Sequence, residues 1–288
     1  RMSQLSIILR TIRIKNWIKN ILILVPVCFS FIPITKNLVL GFIDIFLCIS
    51  ILASIVYIIN DIVDLKNDRK DLIKKKRPLA SGQITKKNSL LICLVLSIFL
   101  FIYIFIKNNN SLNIILISYF FLNLSYTFFF KNFFLLDVIV LSFFYIIRVV
   151  APIYYFNLTF SNWSIAIIFS ATLLVGFGKR YMDIQNNQNN NDFSSLYKKK
   201  ELVILISFFA IVLQILFFLF STSTVTSQKF GELFYLSLFI VFSGTTRYLH
   251  SLFKKKFSDP VEIFIKDKIL LSFVILFAFF SVYIIYNI

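Results

Sequence analysis

The sequence has little of what builds soluble, loop-rich or histidine-ligated proteins. Its 288 residues include six Gly, five Pro and a single His, and only 15% of them are charged. Soluble domains usually contain about 25% charged residues, so an ordinary soluble globular domain is excluded. The scarcity of Gly and Pro leaves little material for long irregular loops and favours helices. Because His250 stands alone, a metal site built on several histidines is excluded as well.

Cysteine is also scarce. Cys28, Cys48 and Cys93 each lie within an apolar run, and none shares the C-x-x-C spacing of zinc or redox sites. Buried free cysteines behave as small hydrophobic residues, and we therefore predict a packing role for all three.

Apolar residues dominate what remains, at 59% of the chain, with 18% aromatic. A helix needs about 20 apolar residues to cross the hydrocarbon core of a bilayer. The basic N-terminal stretch resembles a signal peptide but lacks an A-x-A-like cleavage site, so its apolar run is predicted to be a retained first span. We predict an all-α, multi-pass membrane protein, a single domain over 1–288 with nine transmembrane helices. Their predicted positions are 18–35, 40–59, 89–106, 112–130, 134–154, 162–180, 201–221, 231–249 and 269–287.

The basic residues are distributed unevenly between the predicted loops. Of the 30 Lys and Arg, 26 fall in the N-terminal arm and alternate loops, three fall in the remaining loops, and Arg148 lies inside a span. Cytoplasmic loops carry the excess of Lys and Arg, so we predict a cytoplasmic N-terminus and an external C-terminus in the inner (cytoplasmic) membrane. The net charge of +17 therefore favours anionic lipid headgroups or phosphorylated substrates as partners, and not nucleic acid.

The longest cytoplasmic loop, 60–88, opens with an acidic cluster. On a helix Asn60, Asp64 and Asp68 lie at i, i+4 and i+8 and share one face, with Tyr57 and Asp61 at its edge. A few oxygen ligands, completed by water and substrate phosphates, suit Mg²⁺. Carboxylates this close to hydrocarbon are costly unless they bind a cation or line a wet cavity. The alternative is a helix end whose acids form salt bridges with the lysines that follow.

A basic cluster, Lys74-Lys75-Lys76-Arg77-Pro78, comes next. Acidic and basic groups in succession supply both halves of a metal–phosphate site, with the ion on one side and direct phosphate donors on the other. A juxtamembrane patch that holds anionic lipid is the alternative, and it applies most strongly to Lys74 and Lys75.

These residues resemble the first signature of the UbiA superfamily of intramembrane prenyltransferases, a family with nine transmembrane helices. Within it the closest likeness is to the decaprenyl-phosphate phosphoribosyltransferases. Further stretches that carry the resemblance are Arg13–Asn20, Leu136–Ala151, Gly176–Tyr181 and Asp259–Asp267. Ile14 departs from the pattern, since Pro is usual there.

The second half of the chain departs from the family pattern in an informative way. Most relatives that cleave a prenyl diphosphate have another aspartate-rich motif after the sixth helix, where this chain has Lys179, Arg180 and Asp183. A Lys–Arg pair would bind phosphate directly. The resemblance thus implies a Mg²⁺-dependent transfer of phosphoribosyl from phosphoribosyl diphosphate to a polyprenyl phosphate, for cell-wall (cell-envelope) glycan biosynthesis. It also suggests a homotrimer.

The candidate site residues follow from both lines of reasoning. Arg148 is a candidate because it lies about three helical turns beyond Asp137, inside a span, where an ionisable residue marks function or a paired structural charge; its alternative is a snorkelling or Asp137-paired structural role. The proposed catalytic residues are Asp61, Asp64 and Asp68, and the proposed metal ligands are Asn60, Asp64 and Asp68. The proposed substrate-binding residues are Lys15, Lys19, Asn20, Tyr57, Arg69, Lys76, Arg77, Tyr126, Lys131, Arg148, Lys179 and Arg180.

Two other functions remain open. A prenyltransferase with a prenyl diphosphate donor and an aromatic acceptor would share the fold and the first motif. A transporter would need polar residues near mid-bilayer in several spans, and the sequence has one deep charge and acids gathered at one end.

Overall fold

The computed structural model describes residues 3–28, 35–71, 74–158, 161–185, 197–254, 257 and 260–286. All regular structure within these ranges is helical. The α-helices are α1 (Gln4–Thr11), α2 (Val25–Cys28), α3 (Lys36–Val63), α4 (Leu65–Asp68), α5 (Lys86–Lys107), α6 (Asn110–Phe128), α7 (Leu136–Phe156), α8 (Asn162–Gln185), α9 (Lys199–Ser221), α10 (Thr224–Phe230), α11 (Ser237–Phe253), α12 (Pro260–Lys266) and α13 (Lys268–Tyr286). The 3₁₀ helices are Ile14–Leu24, Lys74–Lys76, Phe130–Asn132 and Glu232–Leu236.

Six of the helices within the described ranges, α3 and α5 through α9, are long and apolar enough to cross a membrane. They coincide with the second to seventh predicted spans, so the prediction of an all-α, multi-pass membrane protein is confirmed. The count of nine stays a prediction. The first predicted span, 18–35, extends into residues outside the described part, and the eighth is divided between a 3₁₀ helix and the 17-residue α11. The ninth corresponds to a shorter apolar helix over Lys268–Ile284.

Polar side chains set the limits of several helices. Thr35 and Thr85 accept hydrogen bonds from the backbone N–H groups of Leu38 and Asn88, both at 3.2 Å, and so cap the N-termini of α3 and α5. Asn108 adopts the left-handed conformation that ends α5. The next residue, Asn109, caps α6 through the N–H of Leu112 at 2.9 Å. The Asn-rich sequence after α5 thus makes a tight connection between two helices.

The chain divides into two compact units, Arg1–Phe160 and Ser161–Ile288. In the first unit α3 is the central element, and the 3₁₀ helix Ile14–Leu24 packs against it together with α5, α6 and α7. Ile45, Cys48 and Ile49 of α3 lie in its core, almost without exposure. A Cβ atom on Gly41 would lie 2.6 Å from the ring of Phe156, so glycine permits the close approach of α3 and α7.

In the second unit α8 packs along α9, and α11 contacts α9, α12 and α13. The rings of Phe177 and Phe209 stack with centroids 5.6 Å apart between α8 and α9. A Cβ atom on Gly178 would lie 2.7 Å from the hydroxyl of Tyr248, so the α8 backbone approaches α11 closely at this point.

Candidate functional site

The acidic cluster lies at the end of α3 in the first unit. The helix ends at Val63, Asp64 adopts φ −87° and ψ 7°, and the short α4 follows. The predicted single helix through Asn60, Asp64 and Asp68 is therefore interrupted at Asp64. Backbone hydrogen bonds of 2.8 Å still join Asp64 to Asn60 and Asp68 to Asp64. The chain bends and does not unwind, which keeps all the acids in one short segment.

Two of these carboxylates, Asp61 and Asp68, are buried and converge on one arginine. Arg77 Nη1 lies 3.1 Å from Asp61 Oδ1 and 2.5 Å from Asp68 Oδ2. Arg13 forms a second ion pair with Asp61. Removing a charge from water is costly unless it is paired, so the two arginines make this pair of buried acids possible. Together the two acids and two arginines form the charge cluster, which consists of Arg13, Asp61, Asp68 and Arg77.

Arg13 belongs to this cluster although it is absent from the predicted site residues. It precedes the 3₁₀ helix Ile14–Leu24 with φ 53° and ψ 47°, a left-handed conformation that costs a non-glycine residue about 1–2 kcal/mol. Its guanidinium lies 4.8 Å from the centroid of the Tyr57 ring, besides its ion pair with Asp61. These contacts offset the backbone cost. The only signal for Arg13 in the sequence was its place in the first basic segment, Arg13–Asn20.

The other two predicted metal ligands have separate partners. Asn60 accepts a hydrogen bond from Thr127 near the end of α6. Lys131 Nζ lies 2.5 Å from Asp64 Oδ1. Lys131, a predicted substrate-binding residue, is thus brought to the acidic cluster from 67 residues away. Tyr126 is half-buried and packs edge-on against Phe144, at 5.9 Å between centroids.

A turn places Arg77 within the charge cluster. The N–H of Ile84 donates to the carbonyl of Pro78 at 3.2 Å, and Gly82 takes φ 78° in the same turn. Arg10 of α1 donates to the carbonyl of Lys76 at 2.9 Å. Tying this segment at both ends fixes the position of the Arg77 backbone. Three further predicted substrate-binding residues of this unit, Lys15, Arg69 and Lys76, are exposed, and Lys19 is half-buried.

Arg148 is buried among protein groups, at 4% exposure. It donates to Asn20 at 2.6 Å, to the Phe144 carbonyl at 2.6 Å and to the Tyr119 hydroxyl at 3.0 Å. Asn20 in turn donates to Ser50 at 2.8 Å. The network joins the 3₁₀ helix Ile14–Leu24 to α3, α6 and α7. Within the described part of the chain Arg148 has no carboxylate partner, so the pairing with Asp137 considered above does not occur there.

In the second unit, Lys179 and Arg180 lie near the end of α8. Lys179 is exposed, whereas Arg180 is buried and lies 3.4 Å from Asp183 on the same helix. Among the described residues after Arg180 on α8, Asp183 is the acid that stands in place of a second aspartate-rich motif, and it pairs with Arg180. The Asn-rich stretch that follows, 186–196, lies outside the described residues.

The donor chemistry of the charge cluster fits a divalent cation shared with a phosphorylated substrate. Mg²⁺ typically takes one or two carboxylates and completes its shell with water and phosphate oxygens. Asp61 and Asp68 supply two carboxylates that already converge on one cationic atom, Arg77 Nη1. Among the described residues no three His, Cys, Asp or Glu side chains form a closed metal cluster. An ion here would therefore depend on its substrate for further ligands.

Comparison with known proteins assigns the chain to a family. The UbiA prenyltransferase family model matches residues 23–274. The uncharacterized protein y4nM of Sinorhizobium fredii is 31% identical over 175 residues, which cover 61% of this chain and 34% of that protein. The decaprenyl-phosphate phosphoribosyltransferase of Mycobacterium tuberculosis is 25% identical over 185 residues, 62% of this chain and 60% of that one. The chain thus spans about a third of the first relative and three fifths of the second.

Solved structures share the fold over almost the whole chain. A UbiA homolog from Archaeoglobus fulgidus bound to GPP and Mg²⁺ matches with a TM-score of 0.69 at 16% identity, covering 97% of this chain and 99% of the other. A digeranylgeranylglyceryl phosphate synthase matches with a TM-score of 0.62 at 20% identity, covering 99% of both chains. At these identities the likeness concerns the fold alone.

Proposed function

Since the chain belongs to the UbiA prenyltransferase family, we propose that it transfers a 5-phosphoribosyl group from phosphoribosyl diphosphate to a polyprenyl phosphate. In this reaction the bond between the anomeric carbon and the diphosphate oxygen breaks. A bond from that carbon to an oxygen of the lipid phosphate forms, and the electron pair leaves with the diphosphate. A phosphate monoester is already anionic at neutral pH, so the acceptor requires no strong general base.

The observation that supports this proposal most is the charge cluster. Its two buried carboxylates converge on Arg77, and Arg13 pairs with one of them. Such a site carries groups for a cation and groups for phosphates in one place, which a diphosphate donor requires. The partners of the arginines would change on binding, since phosphate oxygens can accept the charged hydrogen bonds that the carboxylates accept in the free protein.

Asp61 and Asp68 are the residues that we expect to hold Mg²⁺. The other proposed ligands, Asn60 and Asp64, would join them by exchanging Thr127 and Lys131 for the ion. When bound, a divalent ion supplies Lewis-acid stabilisation to the departing diphosphate. Arg13, Arg77 and Lys131 would neutralise the phosphate charge that the ion leaves uncompensated, which is the main catalytic contribution expected in such a site.

Two facts favour phosphoribosyl diphosphate over a prenyl diphosphate as the donor. Where most of the family has a second acidic motif, this chain has Lys179 and Arg180, which suit direct phosphate binding. The curated relatives that are named for an activity are decaprenyl-phosphate phosphoribosyltransferases, at 25% identity. The lipid acceptor would enter from the bilayer, and the positive-inside distribution of charge supports a reaction at the cytoplasmic face.

The direct test is a transfer assay with the purified protein in detergent. Radiolabelled phosphoribosyl diphosphate, decaprenyl phosphate and Mg²⁺ are incubated with the protein, and the organic phase is counted. We expect label in the lipid fraction that is lost with EDTA and in Asp68→Asn. Asp71→Asn is the matched control, because Asp71 lies in the same segment and its Oδ1 accepts from the N–H of Lys74 at 2.9 Å, which an amide oxygen also does. If Asp68→Asn labels the lipid as strongly as Asp71→Asn and the wild-type protein do, the charge cluster takes no part in the reaction.

A further inference from the structure

The second unit contains a basic cavity that the proposed reaction does not use. It has a volume of about 380 Å³ and lies between the end of α11 and the start of α13. Its size falls within the roughly 300–1,000 Å³ typical of ligand sites. Four permanent cations and one histidine line it, with a single carboxylate among the described lining residues. These residues are Arg247, Lys254, Lys266, Lys268, His250 and Asp267.

The carboxylate of Asp267 is fully engaged by the protein. It accepts from Arg247 Nε at 2.9 Å, from the Ser251 hydroxyl at 2.5 Å, and from the backbone N–H groups of Ile269 and Leu270 at 3.1 and 3.2 Å. Burial alone would raise the pKa of Asp267, but these hydrogen bonds lower it to about 2. Asp267 is therefore ionised, and its charge is balanced by Arg247. It also occupies the first N–H groups of α13, so the helix terminus itself is not available to a ligand.

Beyond the balanced pair of Arg247 and Asp267, the lysines give the cavity a net positive charge. Lys266 pairs with Glu262 at 3.4 Å. Within the described part of the chain, Lys254 and Lys268 have no carboxylate partner, and both are exposed. Two unpaired ammonium groups beside an internally balanced Arg–Asp pair make the cavity attractive to an anion.

Apolar surface adjoins the same cavity. Ile269, in its wall, is 50% exposed, and α13 continues with the exposed residues Leu271, Val274 and Ile275. Basic pockets between apolar helices at a membrane surface bind anionic lipid headgroups, with the phosphate on the cations and the acyl chains along the helices. A soluble anion would gain nothing from this apolar wall.

We propose that this cavity binds the phosphate headgroup of an anionic membrane lipid through Lys254 and Lys268, with its acyl chains on the exposed face of α13. The site is independent of the proposed phosphoribosyl transfer, since none of its residues belongs to the charge cluster or to the other substrate-binding candidates. It would keep a structural or regulatory lipid bound to the second unit.

The test is a titration of fluorescent phosphatidylglycerol into the purified full chain in a neutral detergent. The variant is the double substitution Lys254→Ala and Lys268→Ala, and the matched control is Lys86→Ala and Lys87→Ala, two exposed lysines at the start of α5. Each basic residue near an anionic surface contributes roughly 1 kcal/mol to binding, so the loss of one lysine should weaken the affinity about fivefold. We expect binding about 25-fold weaker in the variant, unchanged binding in the control, and no comparable binding of phosphatidylcholine.

Three results would overturn the proposal. One is equal affinity of the variant and the wild-type protein for phosphatidylglycerol. Another is displacement of the lipid by 10 mM inorganic phosphate, which would make the ligand a soluble anion. The third is displacement by micromolar phosphoribosyl diphosphate, which would assign the cavity to the donor substrate. Thermal unfolding of both variants in the same detergent checks that they are folded.

Discussion

Arg77 and Asp68 form an ion pair at 2.5 Å, in which the side chain of Asp68 is 3% exposed and that of Arg77 is 29% exposed. One partner is thus nearly removed from water while the other keeps a path to it. A phosphate that approaches from the exposed side would meet the arginine first. Arg77 is accordingly the residue of the charge cluster that we expect to exchange a protein carboxylate for a substrate phosphate.

Arg77→Ala should lower kcat/KM for phosphoribosyl diphosphate by about 10²–10³-fold, the usual effect of losing one preorganised donor to a developing anion. It should also lower the thermal stability in detergent, because Asp68 then stays buried without a counter-charge. Steady-state kinetics and a melting curve measure the two effects. Lys66→Ala, an exposed cation on α4, is the control. A stable Arg77→Ala protein with normal kcat/KM would contradict the role given to this arginine.

Asp64→Asn and Asp68→Asn should each reduce turnover by at least about 100-fold while the protein still inserts and folds, since each removes a carboxylate proposed for the cation. The Mg²⁺ concentration needed for half-maximal labelling should rise in any variant with residual activity. Full activity in both variants, at unchanged Mg²⁺ dependence, would rule out the metal assignment.

Lys179→Ala should raise the KM for phosphoribosyl diphosphate about tenfold or more, in line with the loss of a charged hydrogen bond, and should leave the KM for the lipid nearly unchanged. Lys199→Ala, another exposed lysine of the second unit, is the comparison. If the lipid KM rises instead, Lys179 binds the acceptor phosphate.

Arg148→Ala should destabilise the first unit by several kcal/mol, because it leaves Asn20 unsatisfied and opens a buried cavity. Tyr119→Phe removes one hydrogen bond of the same network and should cost about 1 kcal/mol. Unfolding in detergent measures both. A stable but inactive Arg148→Ala protein would show that Arg148 binds substrate and does not mainly support the fold.

Asp267 gives a stability contribution with a defined pH dependence. Its folded pKa of about 2 lies below the ordinary value of 3.8. A carboxyl group whose pKa is lowered by folding stabilises the folded state at pH values above its pKa in the unfolded chain. This contribution is lost as the pH falls through its pKa in the folded protein. The stability difference between the wild-type protein and Asp267→Asn should thus be constant from pH 8 to 5 and shrink only below about pH 4. A difference that already disappears between pH 7 and 5 would assign the titration to another group.

Most of the fold could be predicted from hydropathy because a spanning helix must satisfy its backbone groups internally and expose apolar side chains. The long apolar runs, such as those of α5 and α9, therefore predicted spanning helices without a competing alternative. Helices at the limits of the pattern were harder. The first predicted span begins as the 3₁₀ helix Ile14–Leu24, and hydropathy does not distinguish a 3₁₀ helix from an α-helix.

The sequence predicted most of the residues of the candidate site, but not which of them contact one another. Asp61, Asp64, Asp68 and Arg77 could be found because acids and bases are concentrated in one short segment. Their partners could not, since Lys131 and Thr127 are 67 residues away from Asp64 and Asn60 along the chain. The i, i+4 spacing favoured Asn60 and Asp64 over Asp61. In the structure it is Asp61 that shares Arg77 with Asp68, and Asp61 also pairs with Arg13. These ion pairs depend on tertiary contacts, which the helical spacing does not show.

The most direct test of the proposed function compares two donors in one assay of diphosphate release. The purified protein is given either phosphoribosyl diphosphate with decaprenyl phosphate, or geranyl diphosphate with an aromatic acceptor, each with Mg²⁺. We predict release from phosphoribosyl diphosphate only, dependent on the lipid phosphate and lost in Asp68→Asn. Release from geranyl diphosphate alone would contradict the account and make the chain a prenyltransferase of the aromatic-acceptor type.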